Sequence, residues 1–226
     1  MDERSYVRVG AGALIVGGVI AAAGNLLHPR YPDTVDVEVY RKLAHSGVWR
    51  VADGLILVAI VLVIAGASAV AASIEASRWG VLARFGRTAV LVGGSIALAQ
   101  TSLDMFAFKE EAQSFVGAAG PDRNPAFWAT NAIDKVGLGL FNLWTIVFLG
   151  VAPLLIGLAM LRSDRFPSWV GALAVFGGAA CTVVGGIGLF VSDQSTLTIP
   201  FLLGSLLVTA WYLAAGAVAW RSTAAT

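Results

Sequence analysis

Charge is what this chain has least of. Only 13% of its 226 residues are Asp, Glu, Lys or Arg, where globular domains carry about 25%. That scarcity excludes a globular domain built for water and any long disordered tail. The net charge of +1 leaves no basic surface for nucleic acid. There is one cysteine, Cys181, so no intrachain disulfide can form, and the redox compartment is not readable from it. Histidine is nearly absent too. His28 and His45 are the only two, with no H-x-x-x-H pair and no C-x-x-C-H around them. That spacing predicts neither haem nor a bound transition metal, and no cofactor is expected. The chain also lacks a G-x-S-x-G elbow, a P-loop and a dinucleotide-binding glycine motif. No lysine sits mid-span in the last apolar run, which argues against a retinal Schiff base.

What is present is apolar sequence, 58% of the residues, with 26 glycines. It falls into six runs, which predict an all-α bundle of six membrane-spanning helices. In lipid every backbone polar group must be satisfied internally, and helices do this within one segment. The spans are expected at about 9–27, 48–74, 88–108, 132–161, 167–191 and 195–220, in a single integral-membrane domain. Ala21-Ala22-Ala23 at the end of the first run looks like a signal-peptidase site. The run continues to Leu27, longer than a usual signal core, and so favours a first helix.

The third run is the informative one. Arg87 and Asp104 bracket only 16 uncharged residues, and a spanning helix needs about 20. Extension to Phe108 reaches that length and takes Asp104 inside the hydrocarbon edge. A carboxylate there is costly, and such residues usually face a polar interior.

Polar residues recur at helical spacing at one end of three spans. His45, Trp49 and Asp53 fall at i, i+4, i+8 on the second. Gln100, Asp104 and Phe108 do so on the third. On the fourth, Asn131, Lys135, Leu138 and Asn142 follow i, i+4, i+7, i+11. If these helices are neighbours, the stripes form a carboxylate-containing pocket open to the non-cytoplasmic side. Asp104 and Asp53 are the candidate catalytic acids or bases. Arg50 and Lys135 are their candidate charge partners. Trp49, Phe106, Phe108, Trp128, Gln100, Lys135, Asn142 and His45 are candidate binding residues. The competing reading is a structural salt-bridge cluster that closes the bundle.

Orientation rests on the arginines. With six spans both termini share a side. That side carries eight Lys or Arg in short segments: Arg4, Arg8, Arg78, Arg84, Arg87, Arg162, Arg165 and Arg221. The opposite side carries seven in longer segments, and ten of the acids. The positive-inside rule acts most strongly on short loops, which places both termini in the cytoplasm of a cell membrane. On the far side, Val35, Val39 and Leu43 mark a short amphipathic helix between the first two spans, capped by Asp33 or Thr34, with Asp36 in its first turn and a bend at Gly47. Lys109 to Phe127 reads as a second connection, with Asn124 capping the fourth helix and Pro125 at its first position. Asp193 alone separates the last two runs.

Arg165-Phe166-Pro167-Ser168-Trp169-Val170-Gly171, the closing Ala219-Trp220-Arg221 and the early Trp49, Arg50, Ala52, Asp53 together resemble a pattern in six-helix bacterial inner-membrane proteins of uncharacterised activity. The resemblance implies six helices and no activity.

Three functions fit these readings. The first is binding or acid/base transformation of a lipophilic small molecule. The second is a small-solute or proton-coupled transporter. The third is an accessory subunit that docks, or self-associates as a homo-oligomer, through small-residue ridges such as Ala13, Gly17, Ala21 and Ala174, Gly178, Thr182, Gly186. Membrane lipids are the partners all three require.

Overall fold

The computed structural model describes residues 2–29, 37–191 and 195–224. Asp33, Thr34, Asp36 and the Asp193 turn lie outside the described residues. The elements are α1 (Glu3–Leu27), α2 (Val37–His45), α3 (Val48–Ala72), α4 (Gly80–Ser102), a π turn (Leu103–Phe108), α5 (Lys109–Gly117) and α6 (Arg123–Trp144). A second π turn (Thr145–Val151), α7 (Ala152–Met160), α8 (Ser168–Gly188) and α9 (Thr198–Ala224) complete the order. Six continuous helical stretches are long and apolar enough to cross a membrane. The protein is an all-α membrane bundle.

The six spans form a closed ring in chain order. α1 packs on α3, α3 on α4, α4 on the α6–α7 helix, α7 on α8, α8 on α9, and α9 returns to α1. Lipid tails give no hydrophobic drive between helices, so close backbone approach must supply the dispersion. The glycines provide it. A side chain at Gly66 would stand 2.6 Å from the Leu14 nitrogen and 2.7 Å from the Gly10 carbonyl oxygen. A side chain at Gly178 would stand 2.6 Å from the Gly150 carbonyl oxygen. The ridge members Gly17 and Gly178 are therefore buried in packing within the chain. Inside the ring, Leu14, Val63, Ile156, Met160, Cys181 and Trp211 form the buried core. The Trp211 indole N–H donates to the Met160 sulfur at 3.4 Å. Val16, Phe85, Val92, Phe176 and Leu203 are exposed large apolar side chains, as a lipid-facing surface requires.

The third and fourth spans outgrow the membrane. Gly80–Gly117 is one stretch of 38 residues, about 57 Å at 1.5 Å per residue, against a hydrocarbon core of about 30 Å. Its far end, α5, packs against α2 and α6 as a second layer on the side remote from the termini, called distal below.

Several boundaries differ from expectation. The third span begins at Gly80 rather than near Thr88, because Arg84 is exposed and Arg87 is paired with Glu75. Lys109–Gly117 is helix rather than connection, since an apolar face on Ala112 and Phe115 is buried there. Asn124 does not cap the fourth helix. Pro121 starts a 3-10 turn at Gly120–Asp122, and Arg123 and Asn124 are already helical behind it. Gly120 has φ +58°, which a side chain would resist.

Candidate functional site

Helix α1 ends in His28 and α3 begins at Val48, so the antiparallel pair brings His28 level with the first turns of α3. His28 Nε2 stands 3.3 Å from Asp53 Oδ1. Asp53 is only 2% exposed, and its Oδ2 is buried with no hydrogen-bond partner among the described residues. His28 Nδ1 lies 3.2 Å from the Pro29 carbonyl oxygen. A carbonyl only accepts, so that contact needs the proton on Nδ1. His28 thus bridges a backbone carbonyl and a buried carboxylate.

Asp104 enters from the π turn. A π turn adds one residue to a helical turn and re-aims the side chains beyond it. Gln100 Nε2 donates to Asp104 Oδ2. The Asp104 backbone carbonyl accepts from the Trp49 indole N–H at 3.1 Å, tying the π turn to α3. On the α6 side Gly137 clears the way. A side chain there would stand 3.1 Å from Asp104 Oδ1. Asp104 interacts electrostatically with Asp53, His28 and Asp134. Asp104 stands 17 residues after Arg87, about 25 Å along the helix.

Aromatic rings connect this cluster to the distal layer. His28 and Trp49 have centroids 4.5 Å apart, Trp49 and Phe108 6.2 Å, Phe108 and Tyr40 5.9 Å, and Tyr40 and Phe115 5.9 Å. The Tyr40 hydroxyl is buried without a partner among the described residues. Burial, then the charge of Asp134, push the phenol up from its ordinary value, so it stays an O–H donor. Lys109 fixes the layer. Its buried ammonium donates to the carbonyls of Leu43, of Ala44 at 3.0 Å and of Ser46 at 2.7 Å. Those are the end of α2 and the break before α3, where a cation also suits the helix dipole. Gln113 adds a bond to the Ala44 carbonyl at 3.3 Å.

Of the residues expected from sequence, Asp53, Asp104, Gln100, Trp49 and Phe108 are brought together. The others are not. His45 lies on α2, cut off from α3 by the break at Ser46–Gly47; it is exposed and its Nδ1 meets the Arg41 carbonyl at 2.7 Å. Trp128 and Phe106 are exposed, at 59% and 51%. Lys135 is exposed. Arg50 faces Glu110 at 3.8 Å rather than Asp53. Asn142 is buried but turned to α8, donating to the Gly188 carbonyl at 3.1 Å. His28 and Lys109 were the residues sequence reasoning missed as members. The available signal was the hairpin itself, which must bring the end of the first span beside the start of the second.

Among the described residues no group of three or more His, Cys, Asp or Glu is placed to hold a metal ion. Two clefts lie away from the cluster. One of about 470 Å³ is lined by Val37, Phe115, Gly120, Arg123, Asn124 and Phe127. The other, about 330 Å³, is lined by Glu75, Arg84, Arg87, Thr88 and Leu91. Comparison with protein-family models, curated proteins and solved structures gives no match.

Proposed function

We propose that this is a multi-pass protein of a cell membrane, with both termini cytoplasmic, that binds a lipophilic small molecule at the His28–Asp53–Asp104 cluster and moves a proton on it. One observation carries the reading. Among the described residues, a buried carboxylate, Asp53, keeps one oxygen without a partner while its other oxygen lies 3.3 Å from a partly exposed imidazole. An unmet buried acceptor is costly, and a relay from the distal surface through His28 to Asp53 gives it a use. Trp49 and Phe108 would supply apolar walls, and Asp104, held by Gln100, a second acid or base. The structural reading is weaker here, because a carboxylate kept only to close the bundle would be fully hydrogen-bonded.

The test is the purified full chain in lipid nanodiscs, with bound lipophiles extracted and identified by mass spectrometry. Parent protein is expected to retain a non-bilayer lipophile, and folded Asp53→Asn to lose it or to retain it unconverted. Equal retention and equal product in parent and variant would sink the proposal. Orientation is tested by thiol labelling of intact cells from outside, which should modify Gly120→Cys and spare Ser163→Cys. Cys181 is buried and gives no background.

A proton-coupled carrier is the second reading, favoured by the other π turn. Pro153 lacks the N–H that a regular helix would use, and the helix adjusts just before it at Thr145–Val151. Among the described residues, the Thr145 hydroxyl and the Trp144 indole N–H are buried there without partners. Broken helices with free polar groups mark many transport sites. Proton-driven uptake into liposomes that Thr145→Val abolishes would favour this reading over the first.

A further inference from the structure

We infer that the cleft between the α3–α4 turn and α4 binds the phosphate of an anionic membrane phospholipid, in the leaflet on the side of the termini. Arg84, Arg87, Thr88 and Leu91 follow one another along α4 at i, i+3, i+4 and i+7, which puts them on one face. Together with Glu75 they line about 330 Å³.

The groups in the cleft differ in what they have left to give. Arg87 Nη1 is paired with Glu75 Oε1 at 3.2 Å. The Thr88 hydroxyl donates to the Arg84 carbonyl at 3.1 Å, so it offers a ligand only its lone pairs and no donor. Among the described residues no acceptor meets the Arg84 guanidinium. Three other arginines on this side are engaged with the protein itself. Arg8 lies over Trp220 at 4.8 Å and Arg162 over Trp79 at 5.2 Å. Arg165 donates to the Ser73 carbonyl at 2.9 Å. Arg84 and the remaining donors of Arg87 therefore point to an external anion, and a guanidinium fork matches phosphate oxygens well.

Position selects a lipid over free phosphate. The cleft ends in Leu91, and Val81, Phe85, Leu91 and Val92 beside it are exposed apolar side chains on a spanning helix. A headgroup at Arg84 would leave its acyl chains against that surface. Charge selects the headgroup. Two arginines against one glutamate leave a net charge of +1, which favours a headgroup of net charge −1 over a zwitterion. Basic sites of this kind at span ends recognise anionic lipids, with roughly 1 kcal/mol for each Arg near the surface.

The experiment is native mass spectrometry of the detergent-purified full chain, titrated with phosphatidylglycerol, with phosphatidylcholine of the same acyl chains, or with inorganic phosphate. Phosphatidylglycerol is expected to bind more tightly than phosphatidylcholine. Arg84→Gln should weaken it about fivefold, the equivalent of roughly 1 kcal/mol, and Arg84→Gln with Arg87→Gln by more. Arg41→Gln, on the distal side, should change nothing. Among the described residues Arg84 has no intramolecular partner to lose, so the single variant keeps the proposal testable if the double variant misfolds. Unchanged phosphatidylglycerol binding in folded Arg84→Gln would overturn the site. Displacement of the lipid by inorganic phosphate at equal concentration would overturn its assignment to a lipid.

Discussion

The ring of spans and the distal layer are held together in opposite ways. In the ring, contact depends on what is missing. Gly10, Gly17, Gly66, Gly157 and Gly178 let backbones touch, and the core between them is apolar. In the distal layer, contact depends on what is present: five clustered aromatic side chains, Tyr40 among them, and an ammonium binding three carbonyls. The polar cluster lies where the two meet. The difference teaches where change is tolerated. The ring resists added volume, and the layer resists lost hydrogen bonds.

The largest expected effect is in the ring. Gly66→Leu drives a side chain into the backbone of α1 and should cost about 3 kcal/mol or more, the range of strong overpacking. Gly139→Ala, where a side chain meets nothing within 4 Å, should cost nothing. Thermal melting in one detergent compares them, and equal losses would break the account of the ring.

Next is Lys109→Met, which keeps the stem and removes the ammonium. Buried carbonyls left without a donor cost about 1–3 kcal/mol. The loss should be local. Amide exchange is expected to rise in Val37–His45 and not in Val48–Ala72. A uniform rise through both would mean that layer and ring are one cooperative unit.

Asp104→Asn sharpens the boundary between them. Asn keeps an acceptor for Gln100, so stability should fall by less than about 1 kcal/mol while lipophile retention falls. Breaking a structural buried pair costs about 3–5 kcal/mol, and a loss of that size would return Asp104 to the bundle-closing role.

The smallest effect is at the N-terminus of α1. Asp2 caps the helix by accepting from the Ser5 backbone N–H at 2.7 Å, and that bond holds its carboxyl below the ordinary value. A depressed folded value means the stabilisation is present above the unfolded value and is lost as pH falls through the folded one. Acid should therefore speed exchange of the first-turn amides. Asp2→Ala should show the fast exchange at every pH, and a parent with no acid dependence would remove the cap from the account.

Six apolar runs, the glycine content and the short span before Asp104 were legible in order, because the cost of bare backbone in lipid acts on each segment separately. The bend at Gly47 was legible for the same local reason. The stripe through His45 was not. It assumed an unbroken helix, and the break at Ser46–Gly47 moved His45 to the surface and admitted His28 instead. Lys109 reads as a boundary charge until α2 is seen to end against it. The sequence by itself determined that this chain is a six-span all-α membrane protein carrying a carboxylate within its third span. Only the tertiary structure decided that the spans close into a ring, that two helices extend into a distal layer, and that His28 stands beside the buried Asp53. Span formation depends on residues close in sequence. Those three outcomes depend on contacts between segments far apart, which no local pattern encodes.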